Sequence, residues 1–283
     1  MDVLAQNAQD IASRLSDDTV IIELGSEHLI KSQLLLAELE RQHKHVSYFL
    51  LDMPPADLSQ RLATLCDNLG QRKYLSCTGL VGTVDDLFPW MANTFPPSLP
   101  KSHITFMSIG SQFPDDTDSL ADGSAFLTGI IRACPMASFI FTVDSCMDRH
   151  LVEGLLYDEA GVELRRRISY NVLATMNRVL GYEAFRDNHW TIVDTFNTED
   201  ATVRSFAQCV ISTEIDIDGE RYRYKVGDSI IIKSSPKWSG DDVRKVVKSA
   251  GLVLHHVWRD KTQTTGIYYA GQEDIIQASG LAS

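Results

Sequence analysis

The chain has 283 residues, of which 44% are hydrophobic and 23% are charged. This length and composition suit one large α/β domain, or a domain with a sizeable insertion, and exclude a mainly disordered chain. The 26 Lys and Arg residues against 38 Asp and Glu residues give a net charge of −12. Because nucleic-acid and anionic-membrane surfaces require a basic footprint, we expect neither as a partner and predict a small molecule or another protein instead.

The cysteines and the N-terminal stretch indicate whether the chain binds a metal and in which compartment it is located. The chain has 5 cysteines, an odd number, and no pair of them has zinc-ligand spacing. We therefore expect neither disulfides nor a bound metal. The opening stretch MDVLAQNAQDIASRL has the period of an amphipathic helix rather than the order of a signal peptide. No apolar run reaches the ~20 residues that span a bilayer. We therefore expect a reduced, cytoplasmic protein without a membrane segment.

The first half of the chain alternates short apolar runs with helical patterns. Apolar runs predict strands at 19–24, 46–52, 73–82, 103–110 and 138–144. Helical periodicity follows at 25–42, 56–70, 85–94 and 120–133. Strands separated by helices predict βαβ units, and hence a parallel sheet with helices on both faces.

The second half has a different pattern. Residues 151–181 are predicted to form two helices, and 189–234 alternates as antiparallel strands with a hairpin turn at Asp218-Gly219. A last helix over 239–251 has Ser239 or Asp241 as its cap and Gly251 as its stop, and two closing strands follow it. We therefore divide the chain into a doubly wound domain (1–150), a helical and antiparallel insertion (151–238) and a return to the first domain (239–283).

The segment Glu23-Leu24-Gly25-Ser26 closes the first strand and opens the first crossover helix. In doubly wound sheets ligands bind at such strand ends near a helix N-terminus, and a glycine lets the backbone approach them. The dinucleotide fingerprint GxGxxG is absent, because Glu27 and His28 stand where glycines are needed. An extra carboxylate would also repel a pyrophosphate, which disfavours a dehydrogenase. Neither objection applies to a cofactor without phosphate, such as S-adenosylmethionine. The alternative is that this segment is only a structural turn and binds no ligand.

Acidic and small residues follow the next strands. Asp52 ends the second strand, where a carboxylate accepts ribose hydroxyls in Rossmann-like folds; a helix cap or a solvated loop acid is the alternative. Asp85 and Asp86 follow the third strand and either address an adenine or cap the next helix. The small polar segment Ser108-Ile109-Gly110-Ser111 either lines a pocket floor or forms a turn.

Seven stretches occur in the order of a known family: ELGSEHLIKSQLLL (23–36), YFLLD (48–52), GTVDDLFPW (82–90), HITFMSIGSQF (103–113), LLYDEAGV (155–162), YNVLATMNRVLG (170–181) and SIIIKSSPKWS (229–239). Over nearly its whole length the chain resembles the fungal and bacterial ergothioneine-pathway histidine N-methyltransferases and the related dimethylallyltryptophan N-methyltransferases. This resemblance implies a Rossmann-like domain that binds S-adenosylmethionine, and a substrate subdomain built partly from the antiparallel strands.

The resemblance also implies roles for single positions. Gly25, with its neighbours Glu23 and Ser26, matches the cofactor loop, and Lys31 matches a lysine that meets the methionine carboxylate of the cofactor. We expect Lys31 two turns into its helix, with a solvated lysine as the alternative. Asp52 matches the ribose acid. The remaining implied cofactor contacts are Asp85 on the adenine side, Ser108 and Gly110.

The implied substrate residues include two departures from the family. Tyr157 matches a tyrosine that contacts the substrate carboxylate; a core tyrosine is the alternative. The proton relay is either Tyr157 or a nearby carboxylate. Ser111 replaces a family asparagine, and Gln112 follows it. Lys233 replaces the glutamate that grips an imidazole, while Ser235 is kept. Because a cation opposes any charge on that ring, we expect an acceptor other than histidine. Lys233 is then expected to contact an anionic group of the substrate. The alternative is a solvated lysine on a strand.

We predict a methyltransferase that N-methylates a small amine or an amino-acid-derived secondary metabolite. The sequence leaves open the acceptor, the number of methyl groups, and N- against O- or C-methylation. About 18 residues precede the first strand, fewer than in the family, so we expect a pocket that is open or is covered by a homo- or hetero-oligomeric partner. The alternative is a non-methylating partner subunit or scaffold, or another reaction on the same fold.

Overall fold

The computed structural model describes residues 2–25, 29–53, 55–99, 103–110, 112–115, 117 and 119–273. The chain forms two compact units, one of Met1–Ser145 with Trp238–Ser283 and the other of Cys146–Lys237. The observed divisions fall after Ser145 and Lys237, whereas the predicted ones fall after residues 150 and 238.

The first unit is built from alternating strands and helices. Its strands are β1 (Thr19–Leu24), β2 (Val46–Asp52), β3 (Leu75–Val81), β4 (Ile104–Ser108), β5 (Ser138–Asp144), β11 (Val253–Arg259) and β12 (Thr265–Gly271). Its helices are α1 (Asp2–Arg14), α2 (Ile30–Arg41), α3 (Pro55–Leu69), α4 (Val84–Asn93), α5 (Gln112–Asp115), α6 (Leu120–Ala133) and α9 (Gly240–Ser249).

Within the described ranges these strands form a seven-stranded sheet in the order β11-β12-β5-β4-β1-β2-β3. β1 pairs in parallel with both β2 and β4, and β4 pairs in parallel with β5. The two closing strands form an antiparallel hairpin at one edge, where β12 pairs with β5. The predicted doubly wound, mostly parallel sheet is confirmed.

Both faces of this sheet are covered by helices, as the sequence predicts. Val20 and Ile22 of β1 pack in one core together with residues of α4, α6 and α9. Ile21 packs in a second core with residues of α1, α2 and α3. Successive side chains of a strand point to opposite faces, so this alternation places the two cores on opposite sides of the sheet.

Gly123 of α6 provides a test of packing in the first core. A Cβ atom at this position would lie 2.5 Å from Cη2 of Trp238, which is too close for any real contact. We expect Gly123→Ala to lower the free energy of unfolding by about 1–3 kcal/mol, measured by urea denaturation, because this overlap outweighs the ~1 kcal/mol that alanine gains in a helix. Gly129→Ala in the same helix is the control, since its Cβ would lie 3.4 Å from Phe88. An equal loss in both variants would contradict the packing argument.

The second unit joins two helices to antiparallel strands. Its helices are α7 (Arg149–Tyr157) and α8 (Glu159–Leu180), and its strands are β6 (Trp190–Asn197), β7 (Thr202–Cys209), β8 (Thr213–Ile217), β9 (Glu220–Tyr224) and β10 (Ser229–Pro236). β10, β7 and β6 form one antiparallel sheet, and β8 and β9 form a hairpin. Asp218 and Gly219 have φ values of 53° and 85°, as a type I′ hairpin turn requires, which confirms the predicted turn.

Two further features of the helices bear on the predictions. Ser239 caps α9: its Oγ accepts the Asp242 N–H at 3.1 Å, and Gly251 beyond the helix end has a φ of 75°. The cap is therefore Ser239 rather than Asp241.

No helix in the described part of the chain combines the length and the apolar character that crossing a membrane requires.

Candidate functional site

The order in which strands are added to the sheet reverses at β1. The chain proceeds from β1 to β2 and β3, then crosses to β4 on the other side of β1. Ligands of doubly wound sheets bind in the crevice beside such a switch point. The turn after β1 contains Gly25 at a φ of 55°, which suits glycine. A Cβ on Gly110 would lie 4.0 Å from the Gly25 carbonyl oxygen, so the turns after β1 and β4 are neighbours.

A cleft of about 430 Å³ opens at the carboxyl ends of β1, β2 and β3. That volume is within the range of small-ligand sites. The cleft brings together three of the predicted cofactor residues, Gly25, Asp52 and Asp85. The other described residues that line it are Leu51, Met53, Gly82, Thr83, Val84 and Phe126.

Asp52 is held in place by two contacts at the end of β2. Its Oδ2 forms an ion pair with Nη1 of Arg61 at 2.8 Å, and its Oδ1 accepts the Met53 N–H at 2.7 Å. An ionised carboxylate has about four acceptor positions, so it can serve protein donors and a ligand diol together. The residue is therefore a fixed acceptor in the cleft, as the ribose role requires.

Asp85 and Asp86, two neighbouring acids of α4, have different environments. The backbone N–H and the hydroxyl of Thr83 both donate to Oδ2 of Asp86, at 2.8 and 2.9 Å. These hydrogen bonds lower the pKa of Asp86. Asp86 is therefore the N3 acid of a capping box whose N-cap is Thr83, and Asp85 is the one that lines the cleft.

Lys31 lies in the first turn of α2, because this helix begins at Ile30; the expectation that it lies two turns into the helix is wrong. Its Nζ donates to the carbonyl of Ile109, just after β4, at 2.9 Å. Burial lowers the pKa of Lys31, and the nearby Glu23 carboxylate partly offsets this effect. The ammonium group therefore lies at the switch point between β1 and β4.

Glu23 and Ser108 are buried beneath the turns rather than in the cleft. Glu23 is fully buried and accepts hydrogen bonds from Ser32 Oγ at 2.9 Å and from Tyr48 OH at 2.5 Å. Its side chain points to the sheet face that α2 covers, because strand residues alternate. Ser108 is also buried, and its Oγ accepts the Phe113 N–H at 3.0 Å. The structure thus brings neither side chain to the cleft as a direct ligand, contrary to the prediction.

Three of the predicted site positions cannot be placed. Ser26 and Ser111 lie outside the described residues, and the side chain of Gln112 does as well.

The second unit holds the predicted substrate residues Tyr157, Lys233 and Ser235. Tyr157 ends α7 and is 63% exposed, which excludes the alternative of a core tyrosine. Lys233 is exposed and Ser235 is half-buried, both on β10.

A polar row crosses the three-stranded sheet of the second unit. Lys233 of β10 lies opposite Ser205 of β7, and Ser205 lies opposite Asp194 of β6. Ser205 Oγ donates to Asp194 Oδ1 at 2.5 Å, and Arg165 Nε donates to Asp194 Oδ2 at 3.4 Å. Directly opposite residues share one face of a sheet, so Lys233 belongs to a charged row rather than standing alone.

Sequence reasoning missed Arg61 and Phe126. Arg61 lies on α3 and reaches back to Asp52, and Phe126 comes from α6, far along the chain from the strands whose ends form the cleft. No local motif marks either residue, because their positions depend on how the helices pack against the sheet.

Comparison with known proteins identifies the family of this chain. A family model described as histidine-specific, SAM-dependent methyltransferase matches residues 1–272. N-methyltransferase dtpB of Aspergillus flavus is 29% identical over 266 residues, which cover 93% of this chain and 73% of that protein. N-methyltransferase imqF of the same species is 30% identical over 271 residues, with 93% and 70% covered. Ergothioneine biosynthesis protein 1 of Neurospora crassa is 28% identical over 257 residues, with 90% and 28% covered.

These matches confirm the predicted resemblance and the predicted cofactor, S-adenosylmethionine. They do not favour the alternative of a non-methylating subunit or scaffold, because the family and these N-methyltransferase relatives are described as methyltransferases. With the doubly wound sheet and the cleft at its switch point, they lead to one conclusion: the chain belongs to the family of S-adenosylmethionine-dependent methyltransferases described as histidine-specific.

Proposed function

We propose that this protein transfers a methyl group from S-adenosylmethionine to the nitrogen of a small amine or amino-acid-derived metabolite other than histidine. The cleft at the carboxyl ends of β1, β2 and β3, with Asp52 fixed by Arg61, is the observation that carries the proposal. The names of two relatives as N-methyltransferases support nitrogen as the acceptor atom.

The residues of the cleft fit a nucleoside better than a phosphorylated ligand. Asp52 and Asp85 are the charged groups among its described lining residues, and both are acids. Two carboxylates attract hydroxyl and amino donors and repel a pyrophosphate. The cleft therefore suits the adenosine part of S-adenosylmethionine, which supplies an electrophilic sulfonium methyl group when it is bound.

Four of the predicted cofactor residues then have one task each. Asp52 accepts the ribose hydroxyls, and Asp85 lies on the adenine side. Gly25 allows the backbone to approach the ligand closely, and Lys31 at the switch point offers its ammonium to the amino-acid carboxylate. Holding the methyl donor and the acceptor in reacting geometry supplies most of the acceleration, with effective molarities equivalent to several kcal/mol.

The acceptor nitrogen must be neutral in order to attack. A dry pocket lowers the pKa of an ammonium group, and the exposed phenol of Tyr157 is the proposed relay for the released proton. Lys233 and its polar row favour an anionic group on the acceptor. A cytoplasmic location and a homo- or hetero-oligomeric state belong to the same proposal.

Calorimetric titration with S-adenosylmethionine and S-adenosylhomocysteine tests the cofactor site first. We expect micromolar binding of both ligands. The second stage is a screen of amines, with and without a carboxylate, for methyl transfer, with histidine as the comparison. Absence of cofactor binding would overturn the proposal, and methylation of histidine alone would overturn its acceptor.

A further inference from the structure

A polar cluster lies in the apolar core beneath the turn after β1. It consists of Glu23 from β1, Tyr48 from β2 and Ser32 from α2, and each of these residues is at most 1% exposed. Ser32 and Tyr48 each donate a hydroxyl hydrogen bond to a different oxygen of the Glu23 carboxylate. Hydroxyl donors orient a buried carboxylate, but they bring no positive charge to balance it.

The charge that balances Glu23 comes from Lys31, the residue before Ser32. Among the described groups, Lys31 Nζ donates to the Ile109 carbonyl beyond β4, and the Glu23 carboxylate of β1 attracts its charge. Burial raises the pKa of Tyr48, and it raises the pKa of the neighbouring Cys77 thiol of β3 to about 11, so both groups stay neutral. The Glu23 carboxylate is the group whose attraction raises the pKa of Lys31 against the effect of burial.

The position of the Lys31 ammonium links this buried cluster to the ligand crevice. Nζ contacts the Ile109 carbonyl, and the next residue, Gly110, lies beside the Gly25 carbonyl. The ammonium group is therefore close to both turns of the switch point. The hydrogen bond from Ser32 to Glu23 holds the first turn of α2, and with it the base of the Lys31 side chain.

We propose that Glu23 is a positioning residue for Lys31: its carboxylate, held by Ser32 and Tyr48, is the buried countercharge that keeps the Lys31 ammonium at the crevice for the amino-acid carboxylate of the cofactor. This inference rests on the proposed function. It replaces the direct cofactor contact predicted for Glu23 with an indirect one.

The test is the affinity for S-adenosylhomocysteine, measured by calorimetry between about pH 7 and 10. Binding of a carboxylate by an ammonium weakens as the pH rises through the pKa of the lysine. Glu23→Gln removes the charge that raises this pKa, so we expect the loss of affinity to begin about 1 pH unit lower or more. Tyr48→Phe removes one of the hydrogen bonds that hold the carboxylate but keeps its charge, so we expect its curve to shift less than that of Glu23→Gln.

Two controls separate this effect from damage to the fold. The amino group of S-adenosylhomocysteine titrates identically with every variant. The effect of each substitution is therefore the difference between its curve of affinity against pH and that of the wild type. Methylthioadenosine lacks the amino-acid carboxylate, and its affinity should be the same in the wild type and in Glu23→Gln. In Lys31→Met, the part of the pH dependence of the affinity that comes from the lysine should be lost. This variant tests the inference even if Glu23→Gln fails to fold.

The outcomes distinguish this inference from the proposed function. If the wild-type protein binds both ligands and the Glu23→Gln curve coincides with that of the wild type, the positioning role is wrong and the function stands. A Lys31→Met curve identical to the wild type also overturns the inference. If the wild-type protein binds neither ligand, the proposed function itself fails.

Discussion

Asp52→Ala is expected to weaken S-adenosylmethionine binding at least about tenfold, because hydrogen bonds to a charged group contribute about 1.5–3 kcal/mol each. The substitution removes the fixed acceptor of the cleft and breaks the 2.8 Å ion pair between Asp52 and Arg61. Calorimetric titration of the variant measures the loss directly.

Asp86→Asn is the matched control for this substitution. Asp86 is a carboxylate at the same edge of the sheet, but it caps α4 through Thr83. Its replacement removes a negative charge from the first turn of α4, so it is expected to lower the free energy of unfolding by about 0.3–1 kcal/mol and to leave the cofactor affinity unchanged. If Asp52→Ala binds the cofactor as tightly as the wild type, Asp52 does not hold the ribose.

Lys233→Glu is expected to abolish turnover of acceptors that carry an anionic group, with a fall in kcat/KM of about 100-fold or more. The substitution places a second carboxylate in the row that contains Asp194, and a like-charge contact with an anionic ligand costs several kcal/mol. The affinity for S-adenosylmethionine should stay the same, because the cleft proposed for the cofactor is lined by residues of the first unit.

Lys225→Glu gives the same change in net charge at an exposed lysine beyond β9, away from the polar row. We expect it to keep full activity on the same acceptors, assayed by methyl transfer at saturating cofactor. Equal activity of Lys233→Glu and the wild-type protein on anionic acceptors would exclude the anion-binding role.

Much of the fold was predictable because its signals are local. Apolar runs mark the strands at 46–52 and 138–144 with the bounds that the structure shows for β2 and β5. Asp218-Gly219 and Ser239 mark a turn and a cap by their own backbone and side-chain chemistry. Such features involve residues a few positions apart, so a single sequence shows them.

The candidate site was predictable only in part. Gly25, Asp52 and Asp85 follow strand ends, and parallel strands bring their carboxyl ends to one edge, so their meeting in the cleft follows from chain order. For Asp85 and Asp86, however, the pattern left the two roles open. The contacts of Thr83 with Asp86 decided which acid caps α4.

By itself the sequence determined the alternation of strands and helices, the family, and the strand ends that line the cleft. Only the tertiary structure decided that Glu23 lies in the core and that Lys31 contacts Ile109. It also decided that Arg61 holds Asp52. The physical reason is that strand and helix periods depend on neighbouring residues. Which face of a strand is buried, and which distant side chain pairs with it, depends on how strands and helices pack together.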